Sequence, residues 1–155
     1  MDGSPDVTDQ KKLFDLYQLY VDTTETVCAR RAEMNKWMLT VNGAVTSLYG
    51  YLASDKSGVP AADQLGWLIV IPSAGVIICF AWAAMLASYR KLNAAKFGVI
   101  HELEAELPAA PFVREKEIYE KLGRRPLSQV ERAVPYAFMT LYGAFIAFRV
   151  VAFWA

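Results

Sequence analysis

The chain has 155 residues, of which 55% are hydrophobic and 13% aromatic, more than a soluble domain of this size usually carries. Its 16 basic and 16 acidic residues leave no net charge, which argues against a nucleic-acid partner. The start, MDGSPDVTDQ, lacks the basic and apolar stretches of a secretory signal, so we expect internal segments to direct membrane insertion.

The first predicted element is an amphipathic helix in a cytosolic N-terminal segment, residues 1–36. Leu13, Tyr20, Val27 and Met34 recur every seven residues, which is the spacing of a helix with one apolar seam. Such a seam must pack on headgroups, on the central helix or on another subunit. The periodicity alone does not choose between these partners.

Residues 37–88 are predicted to form a transmembrane hairpin. Gly66 to Tyr89 is a run of 24 uncharged residues, which as a helix extends about 36 Å and can cross a hydrocarbon core of about 30 Å. Trp37 to Ser54 is shorter and more polar, close to the lower length limit of a span. The loop SDKSGVPAADQ between them is rich in turn residues.

The next segment, residues 89–133, is predicted to be a cytosolic helical extension. No proline interrupts the chain from Gly75 to Leu107, so one helix is expected to run from about Gly66 to Leu107. A short helix over about Arg114 to Leu122 should follow, and Ser128 with Glu131 has the spacing of a helix-capping box. Residues 134–155 form the third predicted transmembrane helix.

Basic residues orient these spans. The N-terminal segment has five Lys and Arg residues, the loop after the first span has one, and residues 90–133 have nine. Because Lys and Arg collect on the cytosolic side, the fold class is predicted to be an all-α integral membrane protein with three transmembrane helices, a cytosolic N-terminus and a periplasmic C-terminus.

The predicted spans carry packing residues and a few polar groups. Small residues spaced four apart allow helices to approach closely in lipid, and we assign them to packing or oligomerisation. They are Gly75, Cys79, Ala83 and Ala87 in span two and Gly143 and Ala147 in span three. The polar intramembrane residues are Asn42, Thr46 and Arg149. The asparagine and threonine are expected to bridge helices or line a pore, and Arg149 to reach the outer headgroups or face a conduit.

The sequence gives little support for an enzyme active site. His101 begins the sequence HELEA, which has Ala105 where a zinc-protease motif needs its second histidine. Glu102, Glu104 and Glu106 are expected to form a solvated helix face. We therefore expect no enzyme activity, no metal site and no cofactor.

Three stretches together resemble the RipA family of octameric bacterial inner-membrane proteins. They are CARRAEMNKWMLTVNG, YRKLNAAKFGVIHELEAELPAAPFVREKE and RRPLSQVERAVPYAFMTLYG, and the resemblance covers about Leu13 to the C-terminus. The first stretch alone is also similar to the two-span SLATT effectors of bacterial conflict systems. The matching positions of the first stretch include Arg30, Arg31 and Asn35 at the headgroup level, together with Asn42. Those of the second are Asn93, Lys96, Glu102, Glu104, Pro108 and Phe112.

The resemblance implies a homo-octamer in the bacterial inner membrane. The leading hypothesis for its function is a non-enzymatic scaffold or sensing platform, with a cytosolic protein as a further partner beside the lipid bilayer. The alternative is a gated pore, a channel-type effector in bacterial defence.

Overall fold

A computed structural model of the protein describes residues 7–123 and 127–154. These residues form four α-helices and one short 3-10 turn, and no strand occurs among them. The helices are α1 Val7–Leu52, α2 Ala61–Glu106, α3 Pro111–Lys121 and α4 Leu127–Trp154, with the turn at Asp55–Ser57. The predicted all-α class is confirmed for the described part of the chain.

The predicted N-terminal helix and the first predicted span are one helix, α1, of 46 residues. No proline lies between Val7 and Leu52, so no residue within this stretch lacks the backbone N–H that the helical ladder uses. The connection to α2 turns at Gly58, whose φ of 64° lies in the left-handed region that glycine adopts without a Cβ clash.

The long helix predicted over about Gly66 to Leu107 is confirmed as α2, also of 46 residues. Pro72 lies inside α2 without ending it. The helix ends before Pro108, which disfavours helical geometry in the residue that precedes it.

The short helix α3 begins at Pro111, three residues before its predicted start, and its C-cap is Leu122. A proline in the first turn of a helix sacrifices no hydrogen bond there, which is why the start lies at Pro111. α4 begins at Leu127, and the side chain of Ser128, half of the predicted capping box, lies outside the described residues.

The chain divides into two compact units. The charged unit contains the described parts of residues 1–32 and 88–126, and the apolar unit contains those of residues 33–87 and 127–155. Within the charged unit α1 packs antiparallel to α2, because Tyr17 contacts Glu104 whereas Thr23, further along α1, contacts Lys96, earlier in α2. The central helix, one of the three partners open to the amphipathic seam of α1, contacts it at Tyr20, whose ring centre lies 5.6 Å from Nζ of Lys96.

The apolar unit packs α1, α2 and α4 around a small core. Tyr49, Leu68 and Ile71 are buried in it, and the ring of Phe145 stacks on the ring of Tyr49 with centroids 4.2 Å apart. The amide of Gln64 donates to the carbonyl of Leu52 and ties the start of α2 to the end of α1.

Two helices of the described chain are long and apolar enough to cross a membrane. They contain the candidate spans Asp63–Glu106 and Val130–Ala152. The first predicted span, Trp37–Ser54, is not among them, since its polar residues lower its hydropathy. Much of the apolar unit's surface is hydrophobic, including Ile77 and Phe148, which are 69% and 66% exposed. Exposed apolar surface of this kind is covered by lipid or by other subunits.

Candidate functional site

Asn42 is the centre of a polar network inside the apolar unit. Its side chain is fully buried, and its Nδ2 donates to the Met38 carbonyl at 2.8 Å. Its Oδ1 accepts from the hydroxyl of Tyr142 at 3.0 Å and from the thiol of Cys79 at 3.1 Å. An unpaired buried amide is costly, and these three bonds offset that cost. They also join one residue of each of the three helices α1, α2 and α4.

Tyr142 supplies the α4 contribution and is fully buried. Its hydroxyl also lies 3.1 Å from the Asn42 carbonyl and 3.4 Å from Oγ1 of Thr46. That threonine donates to the Asn42 carbonyl at 2.8 Å. Asn42 and Thr46, predicted as helix-bridging or pore-lining residues, thus both lie at the contact between α1 and α4.

Gly75 makes room for the Tyr142 ring. A Cβ at this position would lie only 2.6 Å from Cε2 of Tyr142. Since real Cβ contacts are almost never this close, residue 75 must be glycine for α2 and α4 to approach with the tyrosine between them.

The predicted small-residue stripe of span two therefore divides along its length. Gly75 and Cys79 are buried within the chain, Ala83 is half-buried and Ala87 is exposed. In span three Gly143 and Ala147 are exposed, and a Cβ at Gly143 would meet nothing within 4 Å. The two buried residues act within one chain, while the assignment of the exposed ones to contacts between subunits stays a prediction.

Arg149 lies near the ends of two helices. Its Nε is 3.4 Å from the hydroxyl of Tyr49, a residue three positions before the end of α1. Arg149 itself is five residues before the end of α4 and is half-buried. The guanidinium is therefore close to a helix terminus, and its reach to the outer headgroups or to a conduit stays a prediction.

In the charged unit, Glu104 is a buried carboxylate that caps another helix. It is 1% exposed, and its two oxygens accept from the backbone N–H groups of Phe112 at 2.9 Å and Val113 at 3.1 Å. These are first-turn donors of α3 that have no partner within the helix, and the positive end of the helix dipole favours a carboxylate there. The prediction that Glu104 belongs to a solvated face was wrong, whereas Glu102 and Glu106 are indeed exposed.

Tyr17 completes this cap. Its hydroxyl donates to Oε1 of Glu104 at 3.1 Å, and its ring lies 6.3 Å from that of Phe112. Burial of the phenol, followed by its hydrogen bond to the carboxylate and the charge of Glu104, raises the pKa of Tyr17 to about 12. The phenol thus stays protonated at neutral pH and remains a donor.

Two more contacts of the charged unit join α1 to α2. Nζ of Lys96 donates to the Thr23 hydroxyl at 2.9 Å and lies 5.6 Å from the centre of the Tyr20 ring. Nδ2 of Asn93 lies 3.6 Å from Sγ of Cys28. Asn93, Lys96 and Glu104, which the sequence comparison had grouped only by resemblance, thus all hold α2 against its neighbours.

The sequence of the chain also matches a known family. Residues 14–151 match the octameric membrane protein family (8xMP), which covers most of the chain. The chain belongs to this family. No curated protein and no solved structure matches the chain.

As a member of the octameric membrane protein family, this chain is a membrane protein that forms homo-oligomers. The motif that leads into the first predicted span contains Arg30, which is exposed, and Arg31, which is half-buried. Asn35 of the same motif accepts from Nε1 of the buried Trp82 at 2.9 Å. One side chain of this motif therefore packs within the chain, and Arg30 remains at the surface.

The described residues of this octameric membrane protein family member contain no cluster of three or more His, Cys, Asp or Glu side chains that could hold a metal ion. The sequence analysis missed two functional groups, Tyr142 and the buried Glu104. A tyrosine in the middle of an apolar span was the available signal for the first. For the second the signal was an acid seven residues before a proline that opens a helix.

Proposed function

We propose that the protein is a homo-octamer of the bacterial inner membrane that acts as a non-enzymatic scaffold or sensing platform. One observation carries this proposal: Asn42, a polar residue of the first predicted span, is used inside the chain. It has no exposed surface, and its side chain forms hydrogen bonds with Met38, Cys79 and Tyr142. A residue that is closed off in this way supports a fixed helix arrangement rather than a water-filled path.

We place three helices in the membrane, with the N-terminus in the cytosol and the C-terminus in the periplasm. The hydrogen bonds of Asn42 to Tyr142 and Cys79 support this arrangement, because they join α1 to both candidate spans within the apolar unit. A segment so attached to two spans belongs at the same depth. The basic residues, five, one and nine in successive segments, give the orientation.

A topology experiment tests this placement. A reporter enzyme that is active only in the periplasm is expected to work when fused after Ala155 and to stay inactive when fused after Gly123. The same reporter fused within the loop at Gly58 should be active and serves as a positive control. Activity after Gly123 would contradict the three-span arrangement.

The charged unit is the proposed platform. Glu104 and Tyr17 fix α3 against α1 and α2, so the unit presents a defined rather than a mobile surface. On α3, Ile118 and Leu122 are 50% and 64% exposed and lie one turn apart, as an apolar face for a protein partner requires.

The alternative, a gated pore, is favoured by a different face of α1. Thr40, Gly43, Ser47 and Gly50 are all exposed and share one side of the helix, which differs from the side of the buried Asn42. If the same face of every copy turned to the axis of a ring, small and polar groups would line a conduit.

Electrical recording distinguishes the two functions. Purified protein in a planar bilayer is expected to give no discrete conductance steps if it is a platform. A conductance that disappears when Ser47→Leu fills the exposed α1 face, and persists with Leu48→Ala beside it, would establish the pore. Native mass spectrometry of the same sample should show eight copies in either case.

A further inference from the structure

We infer that a groove between α2 and α3 in the charged unit receives Leu19 of a second copy of the chain. The groove has a volume of about 530 Å³. Its walls are formed by residues spaced three and four apart on both helices, the spacing by which two helices accept a side chain from a third. They include Phe97, Gly98 and His101 of α2 and Phe112, Lys116 and Tyr119 of α3.

Gly98 lines this groove and, having no side chain, leaves space within it. A Cβ there would meet nothing within 4 Å, so no neighbour in the same chain requires a glycine. Glycine in the middle of a helix costs about 1 kcal/mol relative to alanine. The absent side chain leaves space in the groove for a group from outside the single chain.

Depth in the membrane and exposure together identify the side chain that approaches, because Leu19 is the exposed large apolar residue between Tyr17 and Thr23. Copies in a closed ring share one orientation relative to the membrane, so surfaces at the same depth meet. Tyr17 is level with Glu104 and Thr23 with Lys96, as their hydrogen bonds show. Leu19 lies between Tyr17 and Thr23 on α1, and Gly98 lies between Lys96 and Glu104 on α2.

The chemistry of Leu19 and its surroundings fits the groove. Leu19 is 56% exposed, on the charged part of α1 where lipid tails do not cover it, and its own chain leaves it largely unburied. Asp15 and Asp22 lie one turn to either side of it on the same face and are exposed. Lys116 on the rim of the groove offers them an opposite charge, and Glu115 beside it also lines the groove.

The two contacting surfaces belong to different helices, α1 in one copy and α2 with α3 in the next. Contacts of this head-to-tail kind generate rings when the rotation closes. The inference rests on the homo-oligomer, which the family establishes, and on the cytosolic placement of the charged unit in the proposed function, and it does not depend on whether the ring is a platform or a pore.

Disulfide crosslinking between two differently tagged copies tests this contact in the full-length protein. One copy carries Leu19→Cys and the other Gly98→Cys, so a bond between these positions can only join separate chains. After oxidation of isolated membranes with copper phenanthroline, we expect a mixed dimer. The matched control replaces Gly98→Cys by Ala95→Cys, an exposed position of α2 outside the groove. A mixed dimer no more abundant than in this control would overturn the inference.

A second variant fills the groove. Gly98→Trp should lower the multi-copy species in native mass spectrometry at least about tenfold, a change of ~1.4 kcal/mol, relative to Ala95→Trp. Intact assembly of Gly98→Trp would overturn the inference. If the groove binds a small molecule or another protein instead, Gly98→Trp should keep its copy number and the mixed dimer should not exceed the control, and this result would also overturn the inference. A monomer in the unmodified protein would instead refute the homo-oligomer on which the proposed function depends.

Discussion

Replacing Glu104 by alanine is expected to release the start of α3. The substitution removes a carboxylate that accepts two backbone N–H groups and the Tyr17 hydroxyl. Loss of a helix N-cap costs about 0.5–2 kcal/mol, and a buried donor left without an acceptor costs about 1–3 kcal/mol more. Together these give a loss of about 1.5–5 kcal/mol in the free energy that holds α3 in place.

Hydrogen exchange measures this loss where it occurs. The amides of Phe112 and Val113 should exchange roughly 100-fold faster in Glu104→Ala, since each ~1.4 kcal/mol is a factor of about ten. Glu104→Gln keeps one acceptor oxygen, so its exchange rates should lie between those of the unmodified protein and those of Glu104→Ala. Glu102→Ala is the matched control, because Glu102 is on the same helix but exposed, and it should change exchange very little. Unchanged exchange in Glu104→Ala would refute the capping role.

Three further predictions concern other contacts. Gly75→Ala should lower stability against SDS unfolding by about 1–3 kcal/mol, because the added methyl group overlaps the Tyr142 ring, whereas Gly143→Ala, with open space, should not. Tyr17→Phe should lower the free energy of unfolding below pH 10. Because the folded-state pKa of Tyr17 is raised to about 12, the difference in unfolding free energy between the variant and the unmodified protein should shrink as the pH rises from 10 towards 12. Circular dichroism unfolding curves measure this difference, and a difference that does not change with pH would contradict the prediction. Arg149→Lys should keep its assembly in native mass spectrometry because both side chains reach the headgroups, and loss of the oligomer would show that the guanidinium itself is needed.

The family resemblance was the most reliable part of the sequence reasoning. Three stretches of residues in the right order identified an octameric membrane protein, and the family match over residues 14–151 confirms it. The end of α2 was also predictable, since Pro108 disfavours helical geometry in the residue before it, whereas α2 begins at Ala61 rather than at the predicted Gly66.

Local sequence did not determine the partners of the polar residues. Asn42 was expected to bridge helices or line a pore, and the two interpretations differ in whether its side chain contacts another helix or water. The structure shows a contact with another helix, at Tyr142, 100 residues further along the chain. A contact between residues so distant in sequence depends on how three helices pack, which no periodicity within one helix contains.

The sequence by itself thus determined the helices, their apolar segments and the family, because helix formation and hydropathy are set by residues a few positions apart. Only the tertiary structure decided that Glu104 is buried while Glu102 and Glu106 are exposed. All three are the same residue type on one helix, but residues two apart lie on opposite sides of it, and only the side of Glu104 meets the start of α3. Its unpaired backbone N–H groups favour a carboxylate there, and this pairing exists only after the chain has folded back on itself.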